Sequence, residues 1–480
     1  MLFNSLLFIY YFLPFVLLGN IVLQPRFRNK FLLMASLVFF AWGGVSYTLI
    51  FIGSILLNFA GGILIEKANS NPARKKLIFT CTVALNLVLL CIFKYGSFFI
   101  TNVNVLGNVL GLHAFKVPEI LLPIGISFYT FHGLSYITDV YRGTTAPQRK
   151  LSDLSLYISF FPQLIAGPIV RYKDISEQLT NRIFSCDYFN RGIYRFVIGL
   201  GKKVLIANSL AYLADVFFNS APETLAVGEA WIGILAYTFQ IYFDFSGYSD
   251  MAIGLALCFG FRFKENFDFP YLAESIKDFW RRWHISLSSW FKDYVYIPLG
   301  GNRNGKFKTY RNLLIVFFLT GLWHGASWNF IVWGFFHGFF IVMESTVLEK
   351  GLSKLWRPFR ILYGFIVVLM GWVLFRADTL THAIQYYKAM FGMNAKTEFS
   401  GDAVVLQLTA EQVMTFILAI AGSFGAMNIF NDFNQLPEKI NASVINVKDI
   451  AKIVFSVCIL IVCTIYLASG TYNPFIYFRF

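Results

Sequence analysis

The chain has 480 residues, of which 57% are hydrophobic, 19% aromatic and only 14% charged, and its mean hydropathy is +0.60. This composition excludes an ordinary soluble globular protein and predicts a polytopic membrane protein. The formal charge of +14 does not indicate nucleic-acid binding, because the Lys and Arg residues lie in short clusters between apolar segments. Cytoplasmic loops that follow the positive-inside rule show this pattern.

The apolar segments predict a series of membrane passes, each of which needs about 20 residues. Segment 2–24 has no positive region before it and no clear cleavage site after it, so we interpret it as a retained span and not as a signal peptide. The basic clusters around Arg28 and Lys75 enclose two short passes, which are interrupted at Trp42-Gly43-Gly44. Further passes are predicted at 77–100, 121–140, 192–218, 228–246, 361–375, 412–430 and 452–470, with a short apolar piece at 250–261.

The connecting segments complete the predicted topology. Loops 101–118 and 377–411 are expected outside, and Leu154–Val170 is expected to be re-entrant or interfacial, since it is apolar, contains Pro and Gly, and has basic residues on both sides. With every basic cluster in the cytoplasm, both termini face outward. The six cysteines have no disulfide or zinc-site spacing, and we predict no metal site, no bound cofactor and one membrane domain over 1–480.

The stretch Asn312–Met343 has no charged side chain, yet it would be about 48 Å long as one helix, against a hydrocarbon core of roughly 30 Å. We therefore predict a break at Gly321-Leu-Trp-His-Gly-Ala-Ser-Trp-Asn329, with a leg of about 10 to 15 residues on each side, too short to span. This places His324 at membrane depth, where burial favours the neutral imidazole of a general base. The alternative is a structural histidine bound to a helix carbonyl, which is the interpretation we favour for His132 and His337.

A second cluster, Phe279–Trp290, contains Arg281, Arg282, Trp283 and His284. Its tryptophans and arginines are typical of a membrane interface. They would also suit an acyl donor, with Arg281 and Arg282 attracting phosphates and His284 near a thioester.

The two carboxylates of Asp244 and Asp250 lie beside an apolar segment. They suggest either a cation or proton site in a transporter or, as we favour, helix capping at Ser249-Asp250 and internal hydrogen bonding. The terminal segment Tyr472–Phe480 is rich in aromatic residues, which is typical of a belt anchor.

Five ordered motifs resemble those of the membrane-bound O-acyltransferase superfamily, especially its bacterial branch of alginate O-acetyltransferase membrane subunits and teichoic-acid D-alanyl transfer proteins. The motifs are Pro123–Phe131, Phe161–Ile169, Phe245–Gly254, Phe279–Ser288 and Gly321–Trp328. They fall within a catalytic core at 121–345.

The resemblance implies an all-α polytopic protein in the bacterial inner membrane, with a ring of transmembrane and re-entrant helices around a thin central funnel. It implies His324 as the catalytic base and His284 as an assisting residue on the cytoplasmic side, with Arg281, Arg282 and Trp283 as candidate donor-binding residues. The tail at 471–480 also resembles the terminal motif of this branch, in which Tyr472 matches a tyrosine proposed to carry the acyl group.

By this resemblance, an acyl thioester, for which we expect acetyl-CoA, supplies an acetyl group. That group passes across the lipid bilayer to an extracytoplasmic polysaccharide with the help of a lipase-like acetyltransferase partner. The alternatives are D-alanyl transfer to teichoic acid and a secondary transporter of a polymer precursor that uses Asp244 and Asp250. The terminal motif is part of the chain itself and not of a separate small peptide, which favours acetyl transfer over D-alanyl transfer.

Overall fold

The computed structural model describes residues 1–393, 408–425, 447–470 and 472–474. Its α-helices are named here in chain order. They are α1 Leu13–Val22, α2 Pro25–Ala41, α3 Val45–Lys67, α4 Pro72–Val109, α5 Ile126–Arg142, α6 Leu151–Ser159, α7 Phe161–Leu164, α8 Tyr172–Ile175, α9 Cys186–Gly201, α10 Asn208–Asn219, α11 Val227–Cys258, α12 Ile276–Arg282, α13 Ile285–Phe291, α14 Lys306–His324, α15 Trp328–Glu344, α16 Glu349–Lys354, α17 Arg357–Arg376, α18 Leu380–Met390, α19 Ala410–Ser423 and α20 Val447–Ala468.

Five helical segments of the described chain are long and apolar enough to cross a membrane. They are Val45–Lys67, Pro72–Val109, Cys186–Asn219, Arg357–Arg376 and Ile450–Ala468, and the third joins α9 to α10 through the π-helical turn Lys202–Ala207. Shorter apolar helices lie at Phe8–Val22, Trp328–Glu344 and Ala410–Ser423. The predicted all-α polytopic class is confirmed.

Two helices continue through segments that were predicted to interrupt them. Helix α4 continues to Val109, through the first half of the predicted loop 101–118, because the Asn102 side chain bonds back to the Phe98 carbonyl at 2.8 Å and so leaves the helix intact. Helix α11 is continuous where two apolar pieces, 228–246 and 250–261, were expected. Its polar middle does not end it, because ion pairs described below satisfy the two carboxylates.

The backbone forms two compact units. Unit 1 comprises Met1–Gly192 and Leu255–Lys264. Its aromatic core surrounds Phe161, whose ring packs against those of Phe12 and Phe39 at centroid distances of 5.4 and 5.5 Å. The segment Leu154–Val170, predicted to be re-entrant or interfacial, is helical only in α6 and α7 and is almost entirely buried in protein, which satisfies the condition for irregular backbone at membrane depth.

Unit 2 comprises Ile193–Gly254 and Glu265–Phe480 and contains both histidines predicted to be catalytic. Its central feature is the hairpin of α14 and α15, which are separated by Gly325–Ser327. The break falls directly after His324, as predicted. The two legs have 19 and 17 residues, about 28 and 26 Å, and the prediction of 10 to 15 was wrong because α14 starts among the charged residues at Lys306.

The hairpin is tight because glycines face each other across it. A Cβ atom at Gly321 would lie 2.2 Å from the carbonyl oxygen of Phe330, and one at Gly334 would lie 2.3 Å from that of Phe317. Small residues at such crossings let helix backbones approach closely in a membrane. The position of His324 therefore depends on two residues without side chains.

We predict that Gly321→Ala lowers the Tm of the purified protein by several degrees, because overpacking a close contact typically costs about 1–3 kcal/mol. The matched control is Gly53→Ala in α3, where no atom lies within 4 Å of the added Cβ. That variant should keep or slightly raise the Tm, since Ala is the better helix former. Equal Tm values for the two variants would contradict the hairpin contact.

Candidate active site

His324 is the last residue of α14, and its side chain lies in an aromatic cage formed by Trp323, Trp333 and Phe375. The centroid distances from its ring are 4.8, 5.0 and 5.0 Å, all edge to face. His324 is 7% exposed, so the ring is almost entirely enclosed. The polar interruption in the sequence therefore holds an imidazole among aromatic rings.

His284 lies beside the same cage. Its ring centroid is 6.0 Å from that of Trp323, which thus contacts both histidines. His284 is fully buried and packs edge to face on Phe245 at 4.6 Å. The structure therefore brings together the two residues that sequence predicted as catalytic and assisting, although 40 positions separate them in the chain.

Asn266 holds the His284 ring, although no motif or spacing in the sequence pointed to this residue. Its Oδ1 accepts the backbone N–H of Ser286 at 3.1 Å and lies 3.3 Å from Nδ1 of His284. A backbone N–H can only donate, so the Asn266 atom is the oxygen and Nδ1 of His284 must carry the proton. His284 takes a left-handed backbone, φ +44°, which is uncommon for a residue with a side chain and marks a constrained site.

This tautomer leaves the lone pair of the His284 ring on Nε2. Nε2 is buried and has no hydrogen-bond partner among the described residues. Burial lowers the pKa of His284 to about 3, so the ring is neutral at physiological pH. A neutral ring with its lone pair on a fixed nitrogen is equipped to accept a hydrogen bond.

The two histidines that were predicted to be structural, His132 and His337, lie in packed surroundings. His337 is fully buried between Trp280 and Trp333, at centroid distances of 5.2 and 5.0 Å. His132 lies in unit 1 beside Tyr157, at 5.6 Å.

The three candidate donor-binding residues have different surroundings. Arg281 is exposed, whereas Arg282 forms ion pairs with Asp278 at 3.0 Å and Asp268 at 3.4 Å. Trp283 is buried in the aromatic core and packs on Trp372 at 5.0 Å. Donor binding by these residues stays a prediction.

Asp244 and Asp250 lie in the middle of α11, so the predicted capping at Ser249-Asp250 is wrong, while the expected internal bonding of the carboxylates is found. Asp250 binds Arg195 at 2.9 Å and Lys202 at 2.7 Å, and Asp244 pairs with the fully buried Lys203. These pairs neutralise charges that would be costly to bury alone.

A glycine contact brings the partners of these two carboxylates into range. A Cβ at Gly247 would lie 2.7 Å from the carbonyl oxygen of Gly199, so α9 and α11 cross at backbone distance. Phe245–Gly254, one of the five motifs, thus acts in packing and charge pairing.

The described part of the tail lies along the segment from Lys203 to Asp215. The hydroxyl of Tyr472 donates to Oδ2 of Asp215, and Arg376 donates to Oδ1 of the same carboxylate. Arg376 directly follows Phe375 of the cage and ends α17. Residues 475–480 of the predicted motif lie outside the described residues.

Comparison with known proteins identifies the family. The family described as MBOAT, membrane-bound O-acyltransferase family, matches residues 146–377. A probable alginate O-acetylase of Azotobacter vinelandii is 41% identical over 504 aligned positions, which cover 100% of both chains. The chain belongs to the membrane-bound O-acyltransferase family. It is therefore an O-acyltransferase of the alginate O-acetyltransferase type, and the expected resemblance is confirmed.

More distant relatives show the range of acceptors in this family. A peptidoglycan O-acetyltransferase of Helicobacter pylori is 38% identical over 82% of this chain and 80% of its own. A teichoic acid D-alanyltransferase of Bacillus subtilis is 29% identical over 54% of this chain and 70% of its own. Because the family is enzymatic, the comparisons favour the enzyme over the transporter alternative.

We predict that Asn266→Ala lowers the rate of acyl transfer roughly tenfold, equivalent to the loss of one buried hydrogen bond of about 1.4 kcal/mol, because His284 loses its fixed tautomer. The double variant with His284→Ala should be no slower than His284→Ala alone, since the effect acts through that ring. Ser249→Ala is the control, because it removes only the 3.1 Å bond from Asn266 Nδ2. Additive losses in the double variant would show that Asn266 does not act through His284.

Proposed function

We propose that this O-acyltransferase transfers an acetyl group from a cytoplasmic thioester, acetyl-CoA, across the bacterial inner membrane for O-acetylation of an extracytoplasmic polysaccharide. The observation that carries this proposal is the similarity to a probable alginate O-acetylase along the whole of both chains. In this proposal the chain crosses the inner membrane several times and both termini are extracytoplasmic. A lipase-like acetyltransferase outside the membrane completes the transfer.

The proposed reaction uses His324 as general base. His324 takes the proton of an acceptor hydroxyl as its oxygen attacks the thioester carbonyl, a C–O bond forms, and the C–S bond breaks. The proton then passes to the departing thiolate, which leaves to the cytoplasm. The contact of Trp323 with both histidine rings supports a joint role, in which Nε2 of His284 binds the donor side of the reacting group.

Tyr472 is the proposed acceptor hydroxyl. Its ordinary pKa of about 10 makes base assistance necessary at neutral pH. The contact of Tyr472 with Asp215, whose partner Arg376 adjoins Phe375 of the cage, supports a tail that works beside the site. The acyl-tyrosine is then presented to the external partner, which moves the acetyl group to a sugar hydroxyl.

D-alanyl transfer is the second candidate, supported by the teichoic acid D-alanyltransferase similarity over 54% of this chain. The two candidates differ in the group carried at Tyr472. Mass spectrometry of the C-terminal peptide from cells distinguishes an added acetyl group from an added alanyl group.

We predict that His324→Ala reduces consumption of labelled acetyl-CoA by the purified protein to background, because the acceptor hydroxyl loses its base. The protein should still insert into the membrane and keep a single folded transition. His113→Ala replaces an exposed histidine and should leave the rate unchanged. A rate near that of the wild type in the His324 variant would rule out its role as base.

We predict that Tyr472→Phe abolishes polysaccharide acetylation in cells, since the acyl carrier loses its hydroxyl. Tyr466→Phe is the matched control, because Tyr466 lies in α20 and bonds to Glu411 at 3.0 Å. It should retain acetylation. Normal acetylation in the Tyr472 variant would remove the tyrosine relay and leave the O-acyltransferase assignment intact.

A further inference from the structure

Three successive tail residues bind three polar side chains of one apolar segment. Besides the bond from Tyr472 to Asp215, Asn208 Nδ2 donates to Oδ1 of Asn473 at 3.0 Å, and Lys203 Nζ donates to the carbonyl oxygen of Pro474. We call Lys203, Asn208 and Asp215 the tail-docking face. Only the contact at Asp215 involves the hydroxyl that the proposed relay acylates.

Asp215 is held rigidly on this face. Its carboxylate forms an ion pair with Arg376, and the side chains of the two residues are 11% and 2% exposed. Arg376 also donates to Oδ1 of Asn219 at 3.3 Å, and its guanidinium lies over the ring of Phe218 at 5.1 Å. The carboxylate therefore presents Oδ2 to Tyr472 in a fixed direction.

Only Tyr472 can be the hydrogen-bond donor in its contact with Asp215. An ionised carboxylate only accepts hydrogen bonds, so the Tyr472 hydroxyl must be the donor and must carry its proton. Acylation replaces that proton with a carbonyl carbon. The ester has only oxygen lone pairs to offer, which repel the lone pairs of the carboxylate, so the hydrogen bond from Tyr472 to Asp215 is lost on acylation.

We propose that the Asp215–Arg376 pair distinguishes the free tyrosine from its acyl ester, docking the former and releasing the latter. This inference rests on the proposed acyl transfer to Tyr472. Asp215 is a positioning residue, since it is neither acylated nor required as the base. Asn473 and Pro474 make contacts that acylation does not alter, so they retain the chain while the esterified ring leaves the face.

Release has a functional consequence. An acyl-tyrosine that stayed on Asp215 would be shielded from the external partner, whereas a released ester is exposed to it. The residue Tyr472 as a whole is 46% exposed, but its hydroxyl, which would carry the ester, lies against the buried Asp215. The same pair thus collects the unloaded tyrosine and gives up the loaded one.

The test uses the full-length protein in lipid nanodiscs, loaded with radiolabelled acetyl-CoA and then freed of excess donor. Hydroxylamine is added, and the rate at which label leaves the C-terminal peptide reports the exposure of the ester. In Asp215→Asn the amide N–H can donate to an ester oxygen, so the ester stays docked. We expect cleavage about fivefold slower than in the wild type, the effect of one ordinary hydrogen bond.

Asn219→Ala is the matched control, because it removes the second acceptor of Arg376 and leaves the contact between Asp215 and Tyr472 in place. Its cleavage rate should equal that of the wild type. If Asp215→Asn does not fold because Arg376 is left unpaired, the neutral pair Asp215→Asn with Arg376→Gln replaces it with the same expectation.

The outcomes separate this inference from the proposed function. Slower cleavage from a variant that loads to the wild-type extent supports ester release, and a purely structural ion pair would not produce it. Cleavage at the wild-type rate in a fully loaded variant overturns the inference and leaves the relay intact. Acetyl transfer with no label at Tyr472 in the wild type overturns the relay, and the inference with it.

Discussion

The site depends on one backbone contact, the crossing of Gly321 and Gly334 in the hairpin of α14 and α15. Irregular backbone at membrane depth has no water to satisfy it and must be buried in protein. The break after His324 meets this condition because the hairpin is closed by glycine on one side and tied to α17 on the other. Asn329, at the start of α15, donates its side-chain N–H to the carbonyl oxygen of Ala377. The same bond brings the end of α17 to the break, with Phe375 against His324.

Charge pairing is the second constraint. Unit 2 buries Lys203, Asp244, Asp215 and Arg376, and isolated charges in such places would be unstable. Each is neutralised by a partner on a neighbouring helix, so the polar residues of the apolar segments specify which helices pack together. The glycine contact between α9 and α11 brings Lys203 and Asp244 within reach of each other, and it explains why the motif Phe245–Gly254 contributes to packing.

Sequence reasoning predicted the features that follow from local rules. The break at His324 follows from the length of an uncharged stretch, and the membrane class follows from composition. The position of Asn266 did not follow, because it reaches His284 from a polar block 18 positions away with no recognisable pattern around it. The pair of Asp215 and Arg376 joins residues 161 positions apart and leaves no local signal. The predicted cap at Asp250 failed for the same reason, since its ion-pair partners lie 48 and 55 positions upstream.

The proposed relay has one further requirement. Its acyl carrier, Tyr472, must meet the base, His324, and then leave it. The rings that pack on His324 are aromatic, whereas Asp215 presents a carboxylate that accepts the Tyr472 hydroxyl. A tyrosine that donates to Asp215 keeps its proton, so under the proposed relay this contact holds the carrier in its unloaded form. In this proposal Asp215 binds the hydroxyl of the unloaded carrier and His324 acts in the reaction, so storage of the carrier and acyl transfer use different residues.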